Sequence, residues 1–283
     1  MKTRIVLTFA VLALAGCGGG ASSGERTVVA AFYPLALAAE RIGGDGIRVR
    51  NLTPPGVEPH DLELSGQDIR TIADADLVLY LGEGFQPALE GAIGSTSAHA
   101  IDLLDAVETQ ESAEEEQGVD PHVWLDPVRY AAVARQIGDA LTRPAEAERF
   151  AASLLALDRE YRRGLFDCER DEIVTSHAAF AYLAERYELK QVAITGVSPD
   201  AEPTPRDLED VVRQVRAAGA TTVFFETLVS PRLAAAVARE VGAETAVLDP
   251  LEGLSEDKVA AGEDYLSVMR ENLAALRRAL GCR

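Results

Sequence analysis

From residue 27 onward, short β-branched runs alternate with amphipathic helical stretches, and the alternation occurs in two blocks separated by an unbroken helical pattern. A β-α-β rhythm of this kind builds parallel sheets, because each strand must return to the same edge through a helix. In the first block, strands are read at 27–32, 47–52, 76–81 and 99–104. Between them lie a helix at 34–44, opened by Pro34 and closed by Gly43 and Gly44, a short helix at 66–75 capped by Ser65, and a helix near 85–93. In the second block, strands are read at 172–176, 190–196, 221–227 and 244–249. Their helices fall at 178–189, after Thr204-Pro205, after Ser230-Pro231, and at 263–280. The helical patterns at 127–141 and 144–165 separate the blocks. The second has no internal breaker and, at about 1.5 Å per residue, would run roughly 30 Å as a stiff strut. The expected class is α/β: two βα lobes, each with a mostly parallel four-stranded sheet, joined by a long rigid helix. The expected boundaries are 27–141 for the N-terminal lobe, 142–168 for the linking helix and 169–283 for the C-terminal lobe.

Residues 1–16 have a different character. Lys2 and Arg4 precede an apolar run from Ile5 to Leu14, and small residues follow before Cys17, the pattern of a secretory signal peptide. The run is shorter than the roughly 20 residues an ordinary membrane-spanning helix needs. "LAGC", ending at Cys17, resembles the bacterial lipobox, so Cys17 is the expected lipidation site and the membrane anchor. "GGGASSGE" after it reads as a flexible tether over 17–26. The expected location is outside the cytoplasmic membrane, in the periplasm or on its outer face.

The chain carries a formal charge of −19 at pH 7. Such a surface excludes nucleic acid as a natural partner and suits a cation better. Cys168 and Cys282 stand too far apart in sequence for a zinc knuckle; in an oxidising compartment they are candidates for a disulfide.

Four histidines are present, and three of them follow the ends of expected strands: His60 after 47–52, His122 after 99–104 and an acidic segment, and His177 directly after 172–176. Asp249 closes the strand at 244–249. In open parallel sheets ligands bind at the carboxyl edge, so these four side chains, two from each lobe, are expected in a cleft between the lobes. His99 opens a strand and is set aside. Three imidazoles and one carboxylate suit Zn²⁺ in tetrahedral geometry, whereas Mn²⁺ prefers oxygen-rich sets. Four protein ligands fill the sphere, and the chain has neither HExxH nor a nucleophile elbow, so binding is favoured over catalysis.

Several longer stretches, "FYPLALAAERIGGD", "GVEPHDLELSGQDI", "DPHVWLDP", "SHAAFAYLAERYEL", "AEPTPRDL" and "LDPLEGL", occur in an order that resembles the substrate-binding lipoproteins of bacterial zinc and manganese ABC importers, the ZnuA and TroA type. The resemblance covers nearly all of the chain beyond the signal. It implies that His60, His122, His177 and Asp249 are the metal ligands, that the long helix limits hinge motion, and that a membrane permease of the ABC class is the partner of a monomeric receptor. It also implies zinc over manganese, because the third ligand is His177 where many manganese receptors carry Glu. One departure is the segment 108–118, which offers carboxylates where zinc receptors often carry a histidine-rich loop.

Glu202 is a candidate outer partner of a ligand histidine, or an alternative ligand. Trp124 is a candidate shield for His122 against water, while Glu58 and Asp61 are expected to face solvent. The competing readings are a manganese receptor on the same scaffold, a zinc hydrolase with Asp249 as base, and an adhesin.

Overall fold

The computed structural model describes residues 25–112, 118–199 and 203–283. The expected signal peptide and Cys17 lie outside the described residues, as does Glu202.

The first sheet contains β1 (Arg26–Ala30), β2 (Ile47–Asn51), β3 (Leu77–Tyr80) and β4 (Ala100–Asp102), all parallel in the order β2-β1-β3-β4. Helices α1 (Tyr33–Gly43), α2 (Gly66–Ala73) and α3 (Pro87–Ser95) connect them. The central strands read Val28-Val29-Ala30 and Leu77-Val78-Leu79, all fully buried, as strands covered on both faces should be. Edge strand β2 instead alternates, exposing Arg48 and Arg50.

Two helices follow, α4 (Pro127–Leu141) and α5 (Pro144–Gly164). Asp126 caps α4 by accepting the Val128 N–H, and Pro127 occupies the first helical position. Gly138 lets α5 approach α4 closely, since a methyl group there would collide with the Ala147 Cβ. The 21 residues of α5 make about 30 Å of helix. The expected strut is therefore present.

The second sheet repeats the first. Strands β5 (Glu172–Thr175), β6 (Lys190–Ala193), β7 (Thr222–Phe225) and β8 (Glu244–Val247) are parallel in the order β6-β5-β7-β8. Its helices are α6 (Ala181–Arg186), α7 (Pro205–Ala218), α8 (Arg232–Val241), α9 (Glu256–Ala261) and α10 (Tyr265–Leu280). Thr204 and Asp207 form a reciprocal capping box at the start of α7. Helix α6 is shorter than the pattern at 178–189 suggests, and α9 is an element the sequence reading did not anticipate.

The core is not divided equally. Strand alternation in the second sheet sends Val174 and Val223 to a small core with Val211 and Val215 of α7 and Val237 of α8. Their neighbours Ile173 and Phe224 face the other way, into a large core that continues through α10 and α5 to α1 and the first sheet. Three buried tyrosine hydroxyls stitch it: Tyr130 donates to Pro34 O, Tyr161 to Met269 O and Tyr265 to Trp124 O, each at 2.6 Å. Cys168 and Cys282 are disulfide-bonded, tying the segment after α5 to the end of α10.

Candidate metal centre

His177 stands two residues past β5, where the strand order reverses and a crevice opens between β5 and β7. Glu226 begins directly at the end of β7, and its Oε1 lies 2.8 Å from His177 Nδ1 and 2.6 Å from the Ser176 hydroxyl. His122 is held by the residue two before it. Asp120 Oδ1 accepts both the His122 backbone N–H at 2.9 Å and contacts Nδ1 at 2.7 Å, and the tight turn Val123–Leu125 then leads into α4. His60 follows Pro59, whose carbonyl is fixed by the buried Gln86 amide at 3.0 Å, and Gln86 also reaches Thr53.

In this arrangement Nδ1–H of His122 and His177 donates to a carboxylate, which leaves each Nε2 lone pair free for a metal. The Nε2 atoms of His122, His177 and His60 lie 3.0, 3.1 and 3.4 Å from one oxygen, Glu252 Oε1. All four donor atoms fall within 4.8 Å of one another. A tetrahedral zinc with bonds of about 2.1 Å needs donors roughly 3.4 Å apart, so small outward shifts would admit the ion.

Asp249, the carboxylate the sequence reading placed in this set, is not in the cluster. Its Oδ1 accepts the Leu251 N–H at 2.9 Å, and its Oδ2 faces the Thr227 hydroxyl at 3.2 Å and Lys258 Nζ at 3.5 Å. The aspartate is turned back into its own loop, where Leu251 adopts φ 56°, a left-handed conformation unfavourable for a branched side chain. Asn272 of α10 grips the Asp249 backbone from both sides, donating to its carbonyl at 2.7 Å and accepting its N–H at 2.9 Å. The Trp124 indole donates to Pro250 O at 2.7 Å. Thus Asp249 shapes the turn, and Glu252 three residues later points from it into the cleft. No local signal in "LDPLEGL" separates the two carboxylates, because the side chains that hold Asp249 in its turn, Asn272, Thr227 and Lys258, come from elsewhere in the chain.

Glu226 and Asp120 were also missed. Glu226 satisfies the same strand-end rule that selected His177, and Asp120 stands beside its histidine in "DPH". Glu58, expected in solvent, is turned inward: its Oε1 accepts the His60 N–H at 3.1 Å and its Oε2 is buried without a partner. Burial, reinforced by the nearby Glu252 charge, pushes its carboxyl up to about 10. Asp61 is exposed, as expected, and so is His99.

Burial, helped by the neighbouring His122 and His177 charges, lowers His60 below the ordinary imidazole range against the opposing pull of Glu252. It acts the same way on His122, but the Asp120 carboxylate and Glu252 outweigh it and the net direction is up. For His177 the Glu252 charge and the Glu226 hydrogen bond likewise overcome burial, raising it well above the usual value. Burial would raise Glu252, yet the facing imidazoles hold it well below the carboxylate range. A buried anion surrounded by three imidazoles is a place prepared for positive charge.

Aromatic rings close the back of the site. Trp124 packs 5.1 Å from the His122 ring and 4.7 Å from Phe32, and Phe85 meets His60 edge-on at 4.7 Å. The shielding role expected of Trp124 fits this packing. Of the four clustered residues, His60 keeps some exposure, 8% of its side chain, and it borders a 390 Å³ cavity also lined by Phe85, Pro121 and Val197.

Residues 28–279 match the family described as zinc-uptake complex component A, periplasmic (ZnuA). The chain belongs to this family. It is 36% identical to the zinc-binding lipoprotein AdcA of Streptococcus pneumoniae over 91% of this chain and 56% of that protein, so it spans about half the length of the streptococcal relatives it matches. It is 33% identical to the high-affinity zinc uptake system protein ZnuA of Bacillus subtilis, covering 97% of this chain and 96% of the relative. Among solved ZnuA-like structures, the Zn(II)-bound ZnuA-like domain of S. pneumoniae AdcA superposes with a TM-score of 0.77 at 35% identity, covering 91% of this chain and 99% of the other. The laminin-binding protein Lmb of Streptococcus agalactiae superposes at 0.82 with 29% identity, over 90% and 99% of the two chains. Two lobes with a cleft at the strand ends are the ZnuA-like architecture.

Proposed function

We propose that this ZnuA-family chain is a receptor that captures Zn²⁺ outside the cytoplasmic membrane, on His60, His122, His177 and Glu252, and hands it to an ABC-type permease without any chemical step. The observation that carries the reading is the convergence of three imidazole nitrogens from both lobes on one buried carboxylate oxygen. Nitrogen-rich donor sets favour zinc over manganese, and relatives along the whole chain are named for zinc. Anchoring through lipidated Cys17 and the tether to residue 26 would keep the receptor beside the permease; no helix among the described residues is long and apolar enough to cross a membrane.

The deciding experiment measures the metal content of protein purified without added metal, followed by competition between zinc and manganese for the vacant protein. Zinc at one equivalent, not displaced by excess manganese, is the expected result. Preferential manganese retention would assign the site to the other metal.

A further inference from the structure

Tyr182 lies on α6, five residues beyond His177, yet its hydroxyl reaches the segment that carries His122. It donates to the Asp120 carbonyl at 2.7 Å and accepts the Gln110 backbone N–H at 2.9 Å. Those two residues are themselves joined, Asp120 N–H donating to Gln110 O at 3.0 Å, so the phenol sits where residues 110 and 120 pair. Asp120 is the residue whose carboxylate holds both the backbone N–H and Nδ1 of His122.

The surroundings make this pairing a junction between lobes. The Arg129 guanidinium of α4 stacks 4.8 Å over the Tyr182 ring and pairs with both Asp126 and Glu185. Arg186, one turn along α6, forks onto the buried Asp126 carboxylate. A buried phenol needs a polar partner, but both bonds of Tyr182 run to backbone groups of the opposite lobe. Backbone partners cannot follow a rotamer change, so the bonds exist only while the lobes are docked in this register.

We infer that Tyr182 is a positioning residue for metal capture: its hydroxyl fixes the Asp120 backbone so that the Asp120 carboxylate aims His122 Nε2 at the shared centre, coupling that ligand to the lobe that supplies His177. The inference rests on the zinc-receptor reading above. It makes ion affinity depend on a hydroxyl that touches neither the ion nor a ligand.

The test is a double-mutant cycle on the full chain with Tyr182→Phe and Asp120→Asn, reading zinc affinity by competition with a chromophoric chelator and the melting temperature of the metal-free proteins. Tyr182→Phe, which keeps the ring under Arg129, is expected to weaken zinc roughly five- to tenfold, the worth of one buried hydrogen bond, mainly through faster release. In the Asp120→Asn background the same change should have little further effect, because the carboxylate it positions is gone. Tyr187→Phe is the control: that buried hydroxyl donates to Asp158 at 3.3 Å, away from the site, so melting should fall while zinc affinity holds. Unchanged affinity in Tyr182→Phe, full additivity in the cycle, or an equal affinity loss in Tyr187→Phe would each overturn the inference. A wild-type chain that binds no zinc would remove the receptor reading, and this inference with it, before any variant is compared.

Discussion

Glu252 and His122 come from opposite lobes and are 130 residues apart in sequence, yet Oε1 of the one lies 3.0 Å from Nε2 of the other. The same oxygen also faces His177 and His60. A carboxylate in that position offsets positive charge on the imidazoles, and in the reading proposed above it is the fourth donor to the ion.

Glu252→Gln and Asp249→Ala should therefore separate cleanly. The first removes the anion from the centre and is expected to weaken zinc by more than the roughly 10- to 100-fold typical of an outer partner. The second leaves the donors in place but frees the Leu251 N–H, costing about 1–3 kcal/mol of stability. Chelator competition and thermal unfolding measure the two effects. A larger affinity loss for Asp249→Ala than for Glu252→Gln would restore Asp249 as the ligand.

Asp120→Asn and Glu226→Gln alter the partners of His122 Nδ1 and His177 Nδ1 without touching the donor atoms. Each should lower zinc affinity about 10- to 100-fold, because the amide no longer fixes the tautomer that exposes Nε2. Equilibrium titration of the single variants checks this. Affinities equal to wild type would show that the histidines are oriented by packing alone.

Zinc affinity should be greatest at mildly alkaline pH and fall with acid. Metal binding requires neutral imidazoles, and carboxylate neighbours hold His122 and His177 above the ordinary range in the metal-free protein. With folded values raised, protons compete for those two nitrogens already above about pH 6.5, whereas His60, lowered by burial, joins only at more acidic pH. Titration with buffered zinc between pH 5 and 8 should show a progressive loss toward pH 5. A flat profile would contradict histidine ligation.

The Cys168–Cys282 bond closes a loop spanning 114 residues of separation. Replacing both by serine should cost about 4–5 kcal/mol in the chain-entropy view. For a protein of this size that amounts to a melting shift on the order of 10 °C, read by calorimetry. Zinc affinity of the folded variant should stay close to wild type, since both cysteines lie outside the turns that carry the donors. A zinc affinity that fell together with the melting point would connect the bond to the cleft.

Local patterning was enough to recover both sheets, the strut α5 and three of the clustered residues. Strand and helix periods are properties of neighbouring residues, and His60, His122 and His177 each follow a strand's carboxyl end, which any parallel sheet directs toward its ligand edge. Long-range geometry decided the rest. Whether Asp249 or Glu252 faces the histidines depends on a turn held by Asn272 and Trp124, and nothing within "LDPLEGL" encodes those contacts. The unequal core has the same origin: strand alternation says that Ile173 and Val174 face opposite ways, but only the docking of α5 and α10 makes one of those faces part of the first lobe's interior. Sequence thus determined which side chains stand at the sheet edges, because that follows from local backbone geometry. Tertiary structure decided which of them meet, because that depends on how two halves joined by a rigid helix are pressed together.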